Sequence, residues 1–168
     1  MKDAMSTKLA LPFIILLVAM FISACGGGGA GGGGGVSTEV NVTLGEWYLD
    51  IDKTTVPAGN VTFIAENVGN VEHELVVLKT DLHFEELIMN RGLALGQGSE
   101  VVEEESGTVM GRIPEEDPEN CKTFNCQEVL FPRDTETGTF NLTPGNYVVM
   151  CNRPMHYENL QKVAFVVE

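Results

Sequence analysis

Residues 147–163 read Tyr147-Val148-Val149-Met150-Cys151-Asn152-Arg153-Pro154-Met155-His156-Tyr157-Glu158-Asn159-Leu160-Gln161-Lys162-Val163. Tyr147 to Met150 are apolar and largely β-branched or aromatic, the composition of a strand. Cys151 stands at the end of that strand. A short loop containing Pro154 returns a histidine beside it, and a second stretch leads into Val163 to Val167, the final strand. A loop this short can present a thiolate and an imidazole to one ion, a pair suited to a soft-to-borderline metal.

Working outward, the same short alternation recurs along the chain and is broken by turn residues. Val40, Val42 and Leu44 alternate with polar residues, and Trp47 to Ile51 form a second apolar segment. Val56-Pro57-Ala58-Gly59-Asn60 marks a turn, after which Val61, Phe63 and Ala65 alternate again. Asn67 to Asn70 turn once more, Val71 to Lys79 read as a strand, and Thr139 to Leu142 with Pro144-Gly145 lead into residues 146–151. Short strands at this spacing predict an all-β protein, an antiparallel sandwich. Residues 81–90 carry Leu82, Phe84, Leu87, Ile88 and Met89 and are expected to form a short helix. Residues 96–138 are acidic and lack clean alternation, which reads as a long insertion between strands.

The chain has three histidines, His73, His83 and His156. Strand parity puts Val71, His73, Leu75 and Val77 on one face, and Glu72, Glu74, Val76 and Leu78 on the other. His73 therefore belongs to the more apolar face, where a buried imidazole needs a partner. Alone it reads as a hydrogen-bonded core histidine. Beside Cys151 and His156 it completes two nitrogens and one sulfur, the trigonal donor set of a blue-copper site. His83, between Leu82 and Phe84, reads as a packing or surface residue.

Asn67-Val68-Gly69 followed by Glu72-His73-Glu74 resembles the first-histidine region of the cupredoxins. The Cys-x4-His-x4-Gln spacing of Cys151, His156 and Gln161 resembles the ligand loop of the stellacyanin-like cupredoxins, and of bacterial cupredoxins whose loop ends in methionine. The resemblance runs from about Glu39 to the end of the chain, leaving residues 96–138 unmatched. It implies a Greek-key β-sandwich binding one copper ion through His73, Cys151 and His156, with Gln161 in the axial position and Met155 as its rival. It also implies electron transfer, with the edge of His156 as the exit. An amide oxygen in the axial position implies a lower reduction potential than methionine would give. Leu160 stands where glycine is usual, and Tyr157 replaces the cysteine that the plant subfamily pairs into a disulfide.

Residues 1–24 read as a signal peptide: Lys2 and Lys8 precede an apolar run from Leu9 to Ala24. That run ends Ile22-Ser23-Ala24-Cys25, which resembles a bacterial lipobox and implies lipidation of Cys25. The alternative is an ordinary signal peptide cut at a small residue. Either reading puts the domain outside the cytoplasm. Residues 26–35 are glycine except for Ala30, so residues 25–38 form a flexible tether with a root-mean-square reach of roughly 20 Å. Residues 39–168 then form one domain. The other cysteines, Cys121 and Cys126, lie close enough to form a local disulfide in an oxidising compartment. Pairing of Cys151 with one of them, or burial as an inert thiol, is the competing account.

Acidic residues number 24 against 10 basic ones. Removal of residues 1–24 leaves 23 against 8. A surface so acidic excludes nucleic acid as a partner, since nothing would neutralise phosphates. It fits a redox partner protein with a basic docking face. Glu103-Glu104-Glu105 and Glu115-Glu116-Asp117 could steer such a partner, or be simply a solvated acidic loop. No carboxylate pair stands out for hydrolysis, and the histidines are too few for a multicopper enzyme, so catalysis is not expected. A copper-delivery protein drawing on Met150 and Met155, and an interaction module with an empty metal site, are the other functions compatible with the sequence.

Overall fold

The computed structural model describes residues 37–90, 98–115 and 129–168. Cys25, Cys121 and Cys126, and with them the lipobox and the expected disulfide, lie outside the described residues. Two sheets face each other. The first has the order β2-β1-β4-β9, with β1 at Thr38–Gly45, β2 at Tyr48–Ile51, β4 at Gly59–Asn67 and β9 at Thr135–Leu142. The second has the order β3-β11-β10-β5-β8, with β3 at Thr55–Val56, β5 at Leu75–Lys79, β8 at Thr108–Ile113, β10 at Gly145–Met150 and β11 at Lys162–Val167. A small pair, β6 (Met89–Asn90) with β7 (Glu100–Val101), is hydrogen-bonded into neither sheet.

The alternation read from the sequence is the packing pattern. Val40, Val42 and Leu44 of β1 and Val61, Phe63 and Ala65 of β4 point into the sandwich. There they meet Leu75, Val77, Tyr147, Val149, Phe165 and Val167 of the second sheet. Each such side chain contributes roughly 1.5–3 kcal/mol when fully buried. Cys151 belongs to the same cluster, so the end of β10 that leads into Cys151 is an extension of the core.

Three expectations are corrected. The sandwich is not purely antiparallel, because β1 pairs with β4 in parallel and β11 with β3 in parallel. The chain leaves β1 and β2, visits the opposite sheet as β3, and returns as β4, and such a crossover brings a strand back in the same direction. Residues 81–90 form no helix; they run through bends and a turn and end as β6. Their apolar residues are used instead as a cover, since Leu87, Phe84 and Met89 pack on the second sheet. Among the described residues the single helix is α1, Glu103–Ser106, one turn long.

The third correction concerns parity. Val76 and Leu78, assigned to the outer face, are fully buried, and Glu74 is 3% exposed. Both faces of β5 and β10 are covered: the outer one meets Leu87, Val101 and Tyr157, with Phe84, Met89 and Val109 at the margin. Much of the stretch read as an insertion therefore builds the domain. β8 is an edge strand of the second sheet, paired with β5 from Leu75↔Ile113 to Lys79↔Thr108, and β9 begins at Thr135.

Candidate metal centre

The last β10–β11 pair in register is Met150↔Lys162, and the Cys151 N–H donates to the Gln161 carbonyl at 3.0 Å. Cys151 and Gln161 thus face each other across the mouth of the loop 152–160. Within that loop the His156 N–H donates to the Arg153 carbonyl at 2.9 Å and the Gln161 N–H to the His156 carbonyl at 3.2 Å. Two residues take left-handed backbone to close it, Met155 at φ 68° and Leu160 at φ 74°. The loop turns His156 back over the end of its own strand.

His73 arrives by another route. It precedes β5 and pairs with Leu130, exchanging N–H to carbonyl bonds of 3.1 and 2.8 Å. Asn67, fully buried at the end of β4, organises the approach. Its amide donates to the carbonyls of Val71 at 2.8 Å and Leu130 at 2.9 Å, while its Oδ1 accepts the Gly69 N–H at 2.9 Å. One side chain therefore fixes the turn before His73 and the strand beside it.

The three side chains converge. Cys151 Sγ lies 3.8 Å from His73 Nδ1 and 3.3 Å from His156 Nδ1, and the imidazole centroids are 4.9 Å apart. One ligand atom from each of the three lies within 4.8 Å of the others, a group able to hold a metal ion. The Glu74 N–H donates to Sγ at 3.4 Å. Gln161 is fully buried and its Oε1 sits 3.1 Å from His73 Nδ1. Its Nε2 donates to the carbonyls of Gly45 and Glu46. Both amide protons are thereby engaged, and the acceptor end faces the cluster.

Met155, the rival axial candidate, is 52% exposed and packs near Gly98. Met150 is buried in the outer cluster with Tyr157. His83 lies on the surface beside Phe84 and Glu85. Cys151 carries a free thiol.

Burial dominates the electrostatics. It pushes the Cys151 thiol up to about 12, opposed by the N–H groups of Glu74 and Arg153. It pushes His73 down to about 4, aided by the neighbouring His156. His156 is lowered by burial and then by the Arg153 charge. At neutral pH the metal-free cluster is therefore one thiol and two neutral imidazoles. Such a site accepts a cation while releasing the thiol proton. The donor set fits copper: a thiolate and two imidazoles with a weak fourth donor. His73 Nε2, buried and without a hydrogen-bond partner among the described residues, would carry the ring proton when Nδ1 binds the ion.

No protein-family model matches the chain, and no curated protein matches it. Solved structures do. Dithionite-reduced auracyanin from the photosynthetic bacterium Roseiflexus castenholzii is 25% identical, with a TM-score of 0.50 over 80% of this chain and 99% of that one. Rusticyanin from Thiobacillus ferrooxidans is 12% identical, with a TM-score of 0.51 over 80% of this chain and 79% of that one. A structure of reduced rusticyanin gives 14% identity and the same TM-score of 0.51. At their identities the rusticyanin likenesses speak to fold alone. The sandwich is cupredoxin-like, and the His73, Cys151 and His156 group is of the kind typical of a blue copper site. A thiolate and two imidazoles so placed are a donor set suited to a single copper ion.

Sequence reasoning missed several residues that build the centre. Asn67 stands in the sequence as a turn residue and as part of the motif before His73, with no sign of the amide bonds that it makes to Val71 and Leu130. Gly45 and Glu46, which anchor the Gln161 amide, carry no signal of that role. Trp47, with its ring 6.4 Å from His156 in edge contact, stands in the sequence only as the start of an apolar segment. The buried partners of Glu74 and Asn152 also went unseen, because they come from the stretch taken for an insertion.

Proposed function

We propose that the protein is a membrane-tethered, mononuclear type 1 copper protein that carries one electron at a time. The convergence of His73 Nδ1, Cys151 Sγ and His156 Nδ1 carries this reading. Copper bound there would supply a one-electron couple. The chain's own contribution is a geometry held from three directions: β10 for Cys151, the 152–160 loop for His156, and the Leu130 bridge for His73. Donors fixed in this way move little when an electron arrives or leaves, which keeps transfer fast. Gln161 is the axial donor in this reading, its oxygen held inward by the Gly45 and Glu46 carbonyls.

His156 is the way in and out. It is half-buried, and exposed apolar side chains stand around it: Trp47 at 59%, Phe131 at 55% and Val71 at 43%. These apolar side chains, beside the Arg153–Glu72 ion pair, give a partner a surface with little free charge to desolvate, while the acidic surface speeds the encounter with a basic partner and makes it salt-sensitive. The signal sequence, Cys25 and the glycine tether support lipid anchoring outside the cytoplasm, with the domain free to meet its partner near the membrane. The auracyanin likeness is to a dithionite-reduced protein, in keeping with a redox role.

The test is to load the full chain with Cu(II) and record absorption, EPR and voltammetry. An intense visible band with a reversible couple is expected, and Cys151→Ala should abolish the band. A copper-loaded but colourless protein refutes the carrier.

A further inference from the structure

Two carboxylates are buried on the outer face of the second sheet, one opposite His73 in strand parity and one from the acidic cluster at 103–105. Glu74 is 3% exposed and Glu103 is 9% exposed. Arg112 of β8 lies between them: Nη1 is 3.5 Å from Glu74 Oε2, and Nη2 donates to Glu103 Oε2. The other oxygen of Glu103 accepts from Asn152 Nδ2 at 2.7 Å. Asn152 immediately follows Cys151 and pairs with Val101 like a strand, accepting its N–H at 2.6 Å and donating to its carbonyl at 3.0 Å. Glu74 immediately follows His73, and its N–H closes the ring on Cys151 Sγ at 3.4 Å. Hydrogen bonds and the Arg112–Glu74 ion pair thus run from Asn152 through Glu103, Arg112 and Glu74 back to the sulfur next to which they began.

The same segment grips the loop twice more. The Met155 N–H donates to the Ser99 carbonyl at 2.8 Å, and Ser99 Oγ donates to the Glu158 carboxylate. Residues 99–103 therefore hold the ligand loop at 152, 155 and 158. Burying such an ionic set is a poor way to gain stability, since apolar side chains of similar volume do as well or better. What it offers is direction. Each bond constrains an angle, and hydrogen bonding around a copper-bound sulfur tunes the potential.

We infer that residues 98–113 are a clamp on the metal centre, with Glu103 and Asn152 as positioning residues that hold the ligand loop and set the Glu74 N–H to Cys151 Sγ bond. The inference rests on the copper reading for its effect on potential. Its geometric half concerns the metal-free chain and stands separately. A slack clamp lengthens the N–H to sulfur bond, leaves more negative charge on sulfur, and so favours the oxidised ion.

The experiment compares the full chain with Asn152→Ala, Glu103→Ala and Glu103→Gln. In the metal-free protein, exchange of the Glu74 amide hydrogen is followed by NMR against the Val77 and Val149 amides, which report global opening. Both alanine variants should speed Glu74 exchange about tenfold relative to those references, the loss of roughly one well-made hydrogen bond. In the copper-loaded protein both should lower the midpoint potential. Glu103→Gln keeps one acceptor, enough for Asn152 but not for Arg112 as well, and should recover part of both effects. Folded variants with wild-type exchange and wild-type potential overturn the clamp and leave the copper reading intact. A wild type without a visible band sinks the copper reading, and unaltered Glu74 exchange would then overturn the clamp on its own. Should Glu103→Ala fail to fold, Asn152→Ala decides the matter by the same two measurements.

Discussion

Replacing Gln161 by methionine separates the two duties assigned to this side chain. Methionine has nearly the same length and fills the same buried space, so packing changes little. The amide protons are lost, however, and the carbonyls of Gly45 and Glu46 lose their donor. A buried acceptor left unpaired costs about 1–3 kcal/mol. The Gly45 bond is buried and the Glu46 bond only partly so, which makes the expected loss in the metal-free protein about 2–4 kcal/mol. For a domain of this size that lowers Tm by roughly 10 °C. In the copper-loaded protein a thioether replaces an amide oxygen as the weak donor, stabilises the oxidised ion less, and raises the potential. Calorimetry on the metal-free form and voltammetry on the loaded form read the two effects separately. A lower Tm with an unmoved potential would make Gln161 an anchor only and refute its axial role. An unchanged Tm would refute the account of the amide.

Further outcomes follow from the same geometry. Copper uptake should release one proton from Cys151, whose thiol sits at about 12 in the metal-free protein. Apparent affinity should therefore rise about tenfold per pH unit between pH 7 and 9, where both imidazoles are already neutral; chelator competition measures it, and a flat profile would contradict the thiol assignment. Burial raises the Glu74 pKa from 4.5 to about 7, with Arg112 opposing. A raised folded value means that its contribution to stability is complete below about pH 4.5 and is lost as pH rises through about 7. Glu74→Gln should remove that decline from the metal-free denaturation curves over this window, whereas an identical pH profile would show that Glu74 stays ionised. Leu160 is 70% exposed and holds φ 74°. Leu160→Gly should relieve left-handed strain and raise stability by about 1 kcal/mol, visible as a Tm a few degrees higher; a lower Tm would mean that the leucine packs more than its exposure suggests.

Much of the centre was legible because its signals are local. Cys151, His156 and Gln161 fall within one short loop between two strands, and a loop that leaves and re-enters adjacent strands must bring its ends together. Period-2 alternation in Val40, Val42, Leu44 and in Val61, Phe63, Ala65 similarly reports a face, because side chains on a strand alternate whatever the partner sheet is. These are properties of the chain alone. They carried the all-β class and the residues worth watching.

Pairing over long distance was beyond that reading. Alternation says that Glu74 and Val76 share a face, but whether water or protein lies against it depends on where residues 81–113 return. Leu87, Val101 and Tyr157 cover that face, so Glu74 is buried and needs Arg112. In the same way, the parallel partner of β1, the Leu130 bridge that delivers His73, and the Gly45 and Glu46 carbonyls that orient Gln161 are all set by packing between segments far apart in sequence. Local spacing names the donors, whereas only the folded chain decides which atoms of those donors face one another, since hydrogen bonds and burial are made between surfaces and not along the sequence.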